Sequence, residues 1–326
     1  MSETGIQHPP IDATGAAGDR ASGRRRGDRI VGSSRAIQDV VDRALAAAQS
    51  DQPVEIHGPA GSGKAHVARA IHSWSARATA PLQRVSCTSA ADGLLAREIF
   101  GSGPGVHPRQ PEAYEGALAR AARGTLVIEA VDRAPAAVQS GLGRAIAEGR
   151  YTREGESAPR PLEARLVFTA LDSRASLILA GVPHHAIVLP PLADRKEDVL
   201  PLAAHFLRLA ADEEGVTPVG FTAEARNALV AEPWLGNVRE LQERVREALR
   251  LAGGGAISAE ALLLAADLEE VPSFKDAKRA FETRYVEGLL RRCRGNISRA
   301  ARLAKKDRKD FYDVIRRTGV EPGDFR

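Results

Sequence analysis

Only two cysteines, Cys87 and Cys293, occur in 326 residues, far apart and with no C-x-x-C spacing, so neither a disulfide framework nor a cysteine zinc site is suggested. No stretch approaches 18 consecutive apolar residues, which argues against a membrane-spanning helix. The first residues lack the apolar core of a secretory signal, so the chain reads as cytoplasmic. Among the histidines, His57, His66, His72, His107, His184, His185 and His205 share no metal-ligand spacing and read as core or surface residues. No internal repeat is visible. What is present is 43% hydrophobic residues, enough for a sizeable core and for two or three domains.

Charge is unevenly placed. The whole chain carries +4, yet residues 274–326 hold 16 Lys and Arg against 8 Asp and Glu, while everything before them holds 30 against 34. A positive end of this kind suits a polyanion, although a charge run alone is more often a solvated face. Residues 1–27 have almost no large apolar side chains and read as a disordered tail.

From Arg29 onward, short apolar strands alternate with amphipathic helices. Strands are expected at 54–57, 84–87, 125–128 and 165–170, with helices at 36–48, 65–76 and 136–148. This alternation predicts an α/β fold, a parallel sheet with helices on both faces, over residues 28–192. After "LPPL" at 189–192 the strands are expected to stop. Helical periodicity at 198–211, 223–230 and 238–251 marks an all-α subdomain over 193–268, and a basic all-α domain follows over 274–326. Trp74 and Trp234 are read as core residues.

"VEIHGPAGSGKA" sets Gly58, Gly61, Ser62, Gly63, Lys64 and Ala65 directly after a strand and before a helix, the context of a G-x-x-x-x-G-K phosphate loop. Glycines let backbone N–H groups curl around phosphate, the helix N-terminus adds partial positive charge, and Lys64 reaches the outer phosphates. Ala65 stands where many such loops carry a Ser or Thr whose hydroxyl touches magnesium. Phosphate binding survives that loss better than Mg2+ placement does.

The loop, together with "IVGSS" (30–34), "REIFG" (97–101), "GTLVIEA" (124–130), "AVQSGLGRAIAEGRY" (137–151), "LPPLADRKEDV" (189–199) and "WLGNVRELQ" (234–242), resembles the AAA+ domain of sigma-54-dependent transcriptional activators, the bacterial enhancer-binding proteins. The terminal "GNISRAARLAKKDRKDFYDVIRR" resembles their Fis-type helix-turn-helix. Only the short tail, with no receiver domain, precedes the ATPase part of this sequence.

The resemblance implies ATP or ADP as ligand, with Ile30 and Val31 in the adenine pocket and Arg239 as the sensor II residue. It also exposes departures. The family's Asp-Glu pair, which holds magnesium and orients the attacking water, corresponds here to Glu129 and Ala130; losing the water-positioning group typically lowers rate by about 10²–10⁴-fold. Asp132 is expected beyond the strand end on a different bearing. The switch asparagine corresponds to Ser86, the sensor Thr-Asn to Leu171 and Asp172, and the arginine-finger segment to "AGVPHHAIV", which has no arginine. An absent arginine finger implies a further loss of about 10³-fold or more. The GAFTGA loop that engages sigma-54 corresponds to residues 105–110, where His107 and Pro108 replace its Phe and Thr.

In the basic end, an apolar stripe of Phe274, Ala277, Phe281, Tyr285, Val286, Leu289 and Leu290 predicts a packing or dimer helix. Ser298 is expected to cap a second helix through Ala304, and Asp307 a third through Arg317, with Phe311, Val314 and Ile315 inward. The resemblance then makes Arg299, Arg302, Lys305, Arg308, Lys309, Tyr312, Arg316 and Arg317 the candidate DNA contacts, Lys305 occupying the family's turn glycine. The expected partners are double-stranded DNA and further copies of the chain, as a dimer or an AAA+ ring, and no membrane. Three functions are open: a DNA-binding regulator with a degenerate, nucleotide-binding AAA+ module; an active sigma-54-dependent activator that hydrolyses ATP slowly through Glu129; and a non-catalytic partner that co-assembles with an intact activator.

Overall fold

The computed structural model describes residues 29–88, 93–106, 112–171, 178–266, 274–293, 295–318, 320 and 322–325, without the side chains of 274–282, 284 and 324. The expectations for the tail at 1–27, for His107 to Gln110 and for Asp172 lie outside the described residues. The chain divides into two units, Met1–Leu262 and Leu263–Arg326.

Unit 1 is built on β1 (Val54–His57), β2 (Leu82–Ser86), β3 (Thr125–Glu129), β6 (Arg165–Ala170) and β7 (His185–Val188). They form one parallel sheet in the order β2-β3-β6-β1-β7. Strand period two sorts the side chains to opposite faces. Ile56, Val127, Val167 and Ile187 pack against α1 (Arg35–Ala48) and α2 (Lys64–Trp74) through Ile37, Val40, Val67 and Ile71. Leu126, Ile128, Leu166 and Phe168 pack on the other face against α3 (Leu95–Phe100), α4 (Gly116–Arg120) and α5 (Ala136–Glu148). This is an AAA+ α/β fold with helices on both faces. An antiparallel hairpin of β4 (Arg150–Tyr151) and β5 (Arg160–Pro161) lies between α5 and β6.

Several boundaries differ from the sequence expectations. The stretch "AGVPHHAIV" contains β7, an edge strand whose three apolar residues are too short a run to announce itself beside two histidines. The helices α3 and α4 are also too short for a 3.6-residue pattern to emerge. The α2 helix starts at Lys64 itself, so its first turn carries the lysine ammonium.

Helices α6 (Val199–Glu214), α7 (Ala223–Ala231), α8 (Asn237–Leu251) and α9 (Ala259–Leu264) follow. The α6 helix runs nearly a turn past its expected end because Gly215, at φ 68°, supplies the left-handed cap. Leu202, Phe206, Leu241 and Val245 are buried as α6 packs on α8. Trp234 is buried and donates its indole N–H to the Leu229 carbonyl at 2.8 Å, with Arg244 stacked 4.8 Å over its ring. Trp74, the last residue of α2, is only half-buried against the core on that face of the sheet.

Unit 2 contains α10 (Phe274–Cys293), α11 (Ile297–Leu303) and α12 (Arg308–Thr318) around a core that includes Val286, Leu290, Ala300, Phe311 and Ile315. Leu289 and Val314 are half-buried against it, whereas Tyr285 of the expected stripe is 46% exposed. Phe274, Ala277 and Phe281 are among the side chains not described. The cap of α11 is Asn296, whose side chain accepts from the Arg299 N–H at 3.0 Å; Ser298 lies one residue inside the helix. Asn296 has the extended backbone of a cap residue, φ −77° and ψ 97°, whereas Ser298 is already helical.

Among the described residues no helix is long and apolar enough to cross a membrane, and no group of three or more His, Cys, Asp and Glu is arranged for a metal ion. His57 instead pairs with buried Glu55 at 3.0 Å, and His72 meets the Thr125 hydroxyl at 2.9 Å. Both cysteines are free and buried. Burial, reinforced by the charges of Asp132, Glu98 and Glu129, pushes the Cys87 thiol up to about 12. Reactivity requires the thiolate, so Cys87 in the folded chain should alkylate about 10³-fold more slowly at pH 8 than in the denatured chain, a ratio read by mass spectrometry of iodoacetamide adducts.

Candidate functional site

The phosphate loop leaves the C-terminal end of β1 and enters α2. Gly58, Gly61 and Gly63 all have positive φ (152°, 72° and 105°). Two of them are also required by contact: a Cβ at Gly58 would press on the Leu189 carbonyl, and one at Gly61 on the Gly236 carbonyl. The sequence rule that reserves these positions for glycine therefore has a local steric cause, in the chain segments folded over the loop.

Three successive loop carbonyls are held from outside. Asn237 Nδ2 donates to the Ala60 carbonyl at 3.0 Å, the Arg239 backbone N–H to the Gly61 carbonyl at 3.2 Å, and the Arg195 guanidinium to the Ser62 carbonyl at 3.1 Å. In a trans peptide the N–H of the next residue points opposite to the carbonyl. Pinning these carbonyls outward turns the N–H groups of Gly61 and Gly63 to the other side, as an anion cradle requires, while the Ser62 N–H donates to the Pro59 carbonyl at 3.3 Å within the loop.

Lys64 closes the loop on itself, its ammonium donating to the Gly58 carbonyl at 2.6 Å and the Pro59 carbonyl at 2.9 Å. Burial lowers its pKa; the charges of Asp132 and Glu129 oppose that shift and that of Arg239 adds to it.

Asn237 and Arg195 belong to a wider brace. Asn237, buried and at φ 59°, also accepts the Leu192 N–H at 2.8 Å on Oδ1. Arg195 lies 3.7 Å from Asp198, which is fully buried and accepts the N–H groups of Ser33 (2.6 Å) and Ser34 (2.7 Å) and the Ser34 hydroxyl (2.6 Å). Ser34 in turn caps α1. The brace thus fixes "IVGSS", with half-buried Ile30 and Val31, against the loop.

At the tip of β3, Glu129 Oε1 accepts from Arg84 twice, from Nε at 2.9 Å and Nη2 at 2.6 Å. Ala130 takes a left-handed conformation, φ 53°, with its N–H on the Thr169 hydroxyl at 3.2 Å. That conformation starts a tight turn through Val131–Arg133, which places Asp132 beyond the end of β3. The Asp132 charge, more than that of Glu129, opposes the lowering of the Lys64 pKa, and its Oδ1 is buried without a partner among the described residues.

Magnesium fits this tip poorly. Of the two positions whose oxygens meet the metal in P-loop ATPases, Ala65 has none to offer and Glu129 is engaged by Arg84.

Residues 30–182 match the Sigma-54 interaction domain family, and residues 193–278 the AAA+ ATPase lid domain family. The transcriptional regulatory protein ZraR of Salmonella typhimurium is 32% identical over 317 residues, covering 93% of this chain and 71% of that protein. The chain belongs to the sigma-54-dependent transcriptional regulator family. GlrR of Escherichia coli is 29% identical over 318 residues, 94% of this chain and 71% of that protein. Among solved structures, NtrX from Brucella abortus in complex with ATP superposes with a TM-score of 0.63 at 25% identity, over 90% of this chain and 69% of that one.

Family membership frames the other candidate positions. Ser86 lies opposite Glu129 in the β2–β3 register and bonds the Thr88 hydroxyl at 2.9 Å. Leu171 is 43% exposed at the end of β6. The base of the loop that would meet sigma-54 is stitched to the β4–β5 hairpin by Gly103 N–H to the Glu154 carbonyl (2.9 Å) and Glu154 N–H to the Gly101 carbonyl (3.0 Å).

In unit 2, Lys305 adopts φ 52°, so the turn before α12 keeps the left-handed geometry with a lysine in place of glycine. Arg299, Arg302, Lys305, Arg308, Lys309, Tyr312, Arg316 and Arg317 are all exposed, and Arg308, Lys309, Tyr312 and Asp313 line one shallow depression on α12.

Sequence reading missed Arg84, Arg195, Asp198 and Asn237. The last three sit inside the recognised motifs, but they touch other protein groups, not the expected ligand, and Arg84 carries no sequence signal. Replacing Asp198 with Ala leaves Arg195 buried and uncompensated, and should destabilise unit 1 by roughly 3–5 kcal/mol in chemical denaturation. Asn237→Ala, which strips the polar side chain from Leu192, Ala60 and Leu235, should cost about 1–3 kcal/mol in the same measurement.

Proposed function

We propose that the chain is a sequence-specific DNA-binding transcription regulator whose AAA+ module binds ATP or ADP and hydrolyses it poorly, if at all. The observation that carries this reading is the contrast within one site. The cradle is braced, with Gly58, Gly61, Ser62, Gly63, Lys64 and Ala65 at the helix entrance, Ile30 and Val31 in the segment held against it and the Arg239 backbone N–H on the Gly61 carbonyl. The tip that would cleave has Glu129 tied to Arg84 and a methyl group at Ala130. A bound nucleotide then stabilises one arrangement of the AAA+ module by mass action and not by turnover.

DNA binding is supported by the exposed basic residues on α11 and α12, by the left-handed turn between them and by the excess positive charge of this end. On α12, Arg308, Lys309 and Tyr312 occupy the N-terminal half that reads base edges, while Arg299, Arg302, Lys305, Arg316 and Arg317 suit phosphates. Such modules work in pairs on half-sites, so the chain acts as a dimer or larger ring, alone or with an intact relative.

One observation favours the rival reading, a slow ATPase: the buried Asp132 oxygen, without a partner among the described residues, on a residue whose charge acts on Lys64. Multiple-turnover phosphate release with excess Mg2+ separates the two. We expect no turnover above the level of a Lys64→Ala control, whereas metal-dependent turnover abolished by Asp132→Ala would establish the enzyme. In gel-shift titrations with promoter DNA at low salt, Arg308→Ala with Lys309→Ala should weaken binding about tenfold or more, and Lys64→Ala should leave DNA affinity of the isolated sites near wild type.

A further inference from the structure

The Arg84–Glu129 pair has a consequence for what the phosphate loop can hold. The β2–β3 register sets Ser86 beside Glu129 and Arg84 beside Val127, so the Arg84 side chain runs along the sheet toward the strand ends, where the loop opens. Both of its short hydrogen bonds fall on one Glu129 oxygen, at 2.9 and 2.6 Å. Such charge-assisted bonds are among the stronger polar contacts in proteins. Mg2+ sheds water reluctantly and demands near-octahedral oxygen ligands, and here it would have to share the Glu129 carboxylate with a guanidinium that already holds one of its oxygens. Ala65 offers it no hydroxyl in exchange.

The electrostatics agree with the geometry. Around Lys64 the acids are Glu129 and Asp132, and the nearby cation is Arg239. With Glu129 neutralised by Arg84, the carboxylate that would repel an incoming polyphosphate is already balanced. Arg84 is 47% exposed and Glu129 23%, so the pair is open to solvent.

We infer that Arg84 takes over the charge-balancing role of the divalent cation, and that the loop binds metal-free nucleoside di- or triphosphate as readily as its magnesium complex. This rests on the nucleotide-binding reading above and adds the form in which the nucleotide is recognised.

Fluorescent ADP and ATP analogues titrated into the full chain, in excess Mg2+ and again in excess EDTA, test it. The wild-type dissociation constants should agree within about twofold between the two buffers. Arg84→Ala, which frees Glu129, should weaken metal-free binding about tenfold, with Mg2+ restoring it. Arg84→Lys, which keeps the charge, should retain metal-free binding. The double variant Arg84→Ala with Glu129→Ala should recover it, which separates charge balance from a folding defect. A wild-type affinity that falls tenfold in EDTA, or an Arg84→Ala chain as tight as wild type in EDTA, overturns the inference and leaves nucleotide binding standing. Absence of binding in both buffers overturns the nucleotide reading and this inference together.

Discussion

Three consecutive carbonyls, at Ala60, Gly61 and Ser62, are each captured by a residue from the segment between Arg195 and Arg239. A glycine-rich loop has the conformational freedom to point its amides anywhere. What converts that freedom into an anion site is the outward pull on its carbonyls, since the planar peptide transmits it to the opposing N–H groups. The buried Arg195–Asp198 pair extends the same constraint to "IVGSS" and the start of α1, so the beginning of the module, its phosphate loop and its helical lid are bound into one polar network. Buried ion pairs add little net stability compared with apolar packing, but they enforce register between segments that lie far apart in the chain.

This arrangement explains how gripping and cutting can part company. None of the bracing atoms belongs to the strand tip at Glu129 and Ala130. Substitutions there leave the loop geometry intact, because Ala130 keeps its left-handed turn through the Thr169 hydroxyl and Glu129 finds a counter-ion in Arg84. Asp132 follows in the turn that Ala130 begins, and its charge acts on Lys64.

The basic end follows a separate logic. Its core is small, Phe311 and Ile315 of α12 packing on Val286 and Leu290 of α10, and its turn depends on Lys305 holding a conformation that glycine adopts without strain. The lysine restricts the unfolded chain more than glycine does, which offsets part of that strain, and it adds one more charge to a surface already rich in arginine.

Much of this was legible in the sequence because it rests on local rules. Strand and helix periods, the G-x-x-x-x-G-K spacing and the apolar faces of α12 depend on residues close in the chain, and they announced the parallel sheet, the loop and the third helix of the basic end. The shown α/β fold and family membership follow from the same order of motifs. Short elements such as β7 and α3 did not register, having too few residues to display a period, and the α11 cap was assigned to Ser298 when Asn296 holds it. What only tertiary structure decided were contacts between distant segments: Asn237 on Ala60, Asp198 on Ser33 and Arg84 on Glu129. A side chain's partner across 45 or more residues depends on how strands and loops stack in space, and no local spacing encodes that distance.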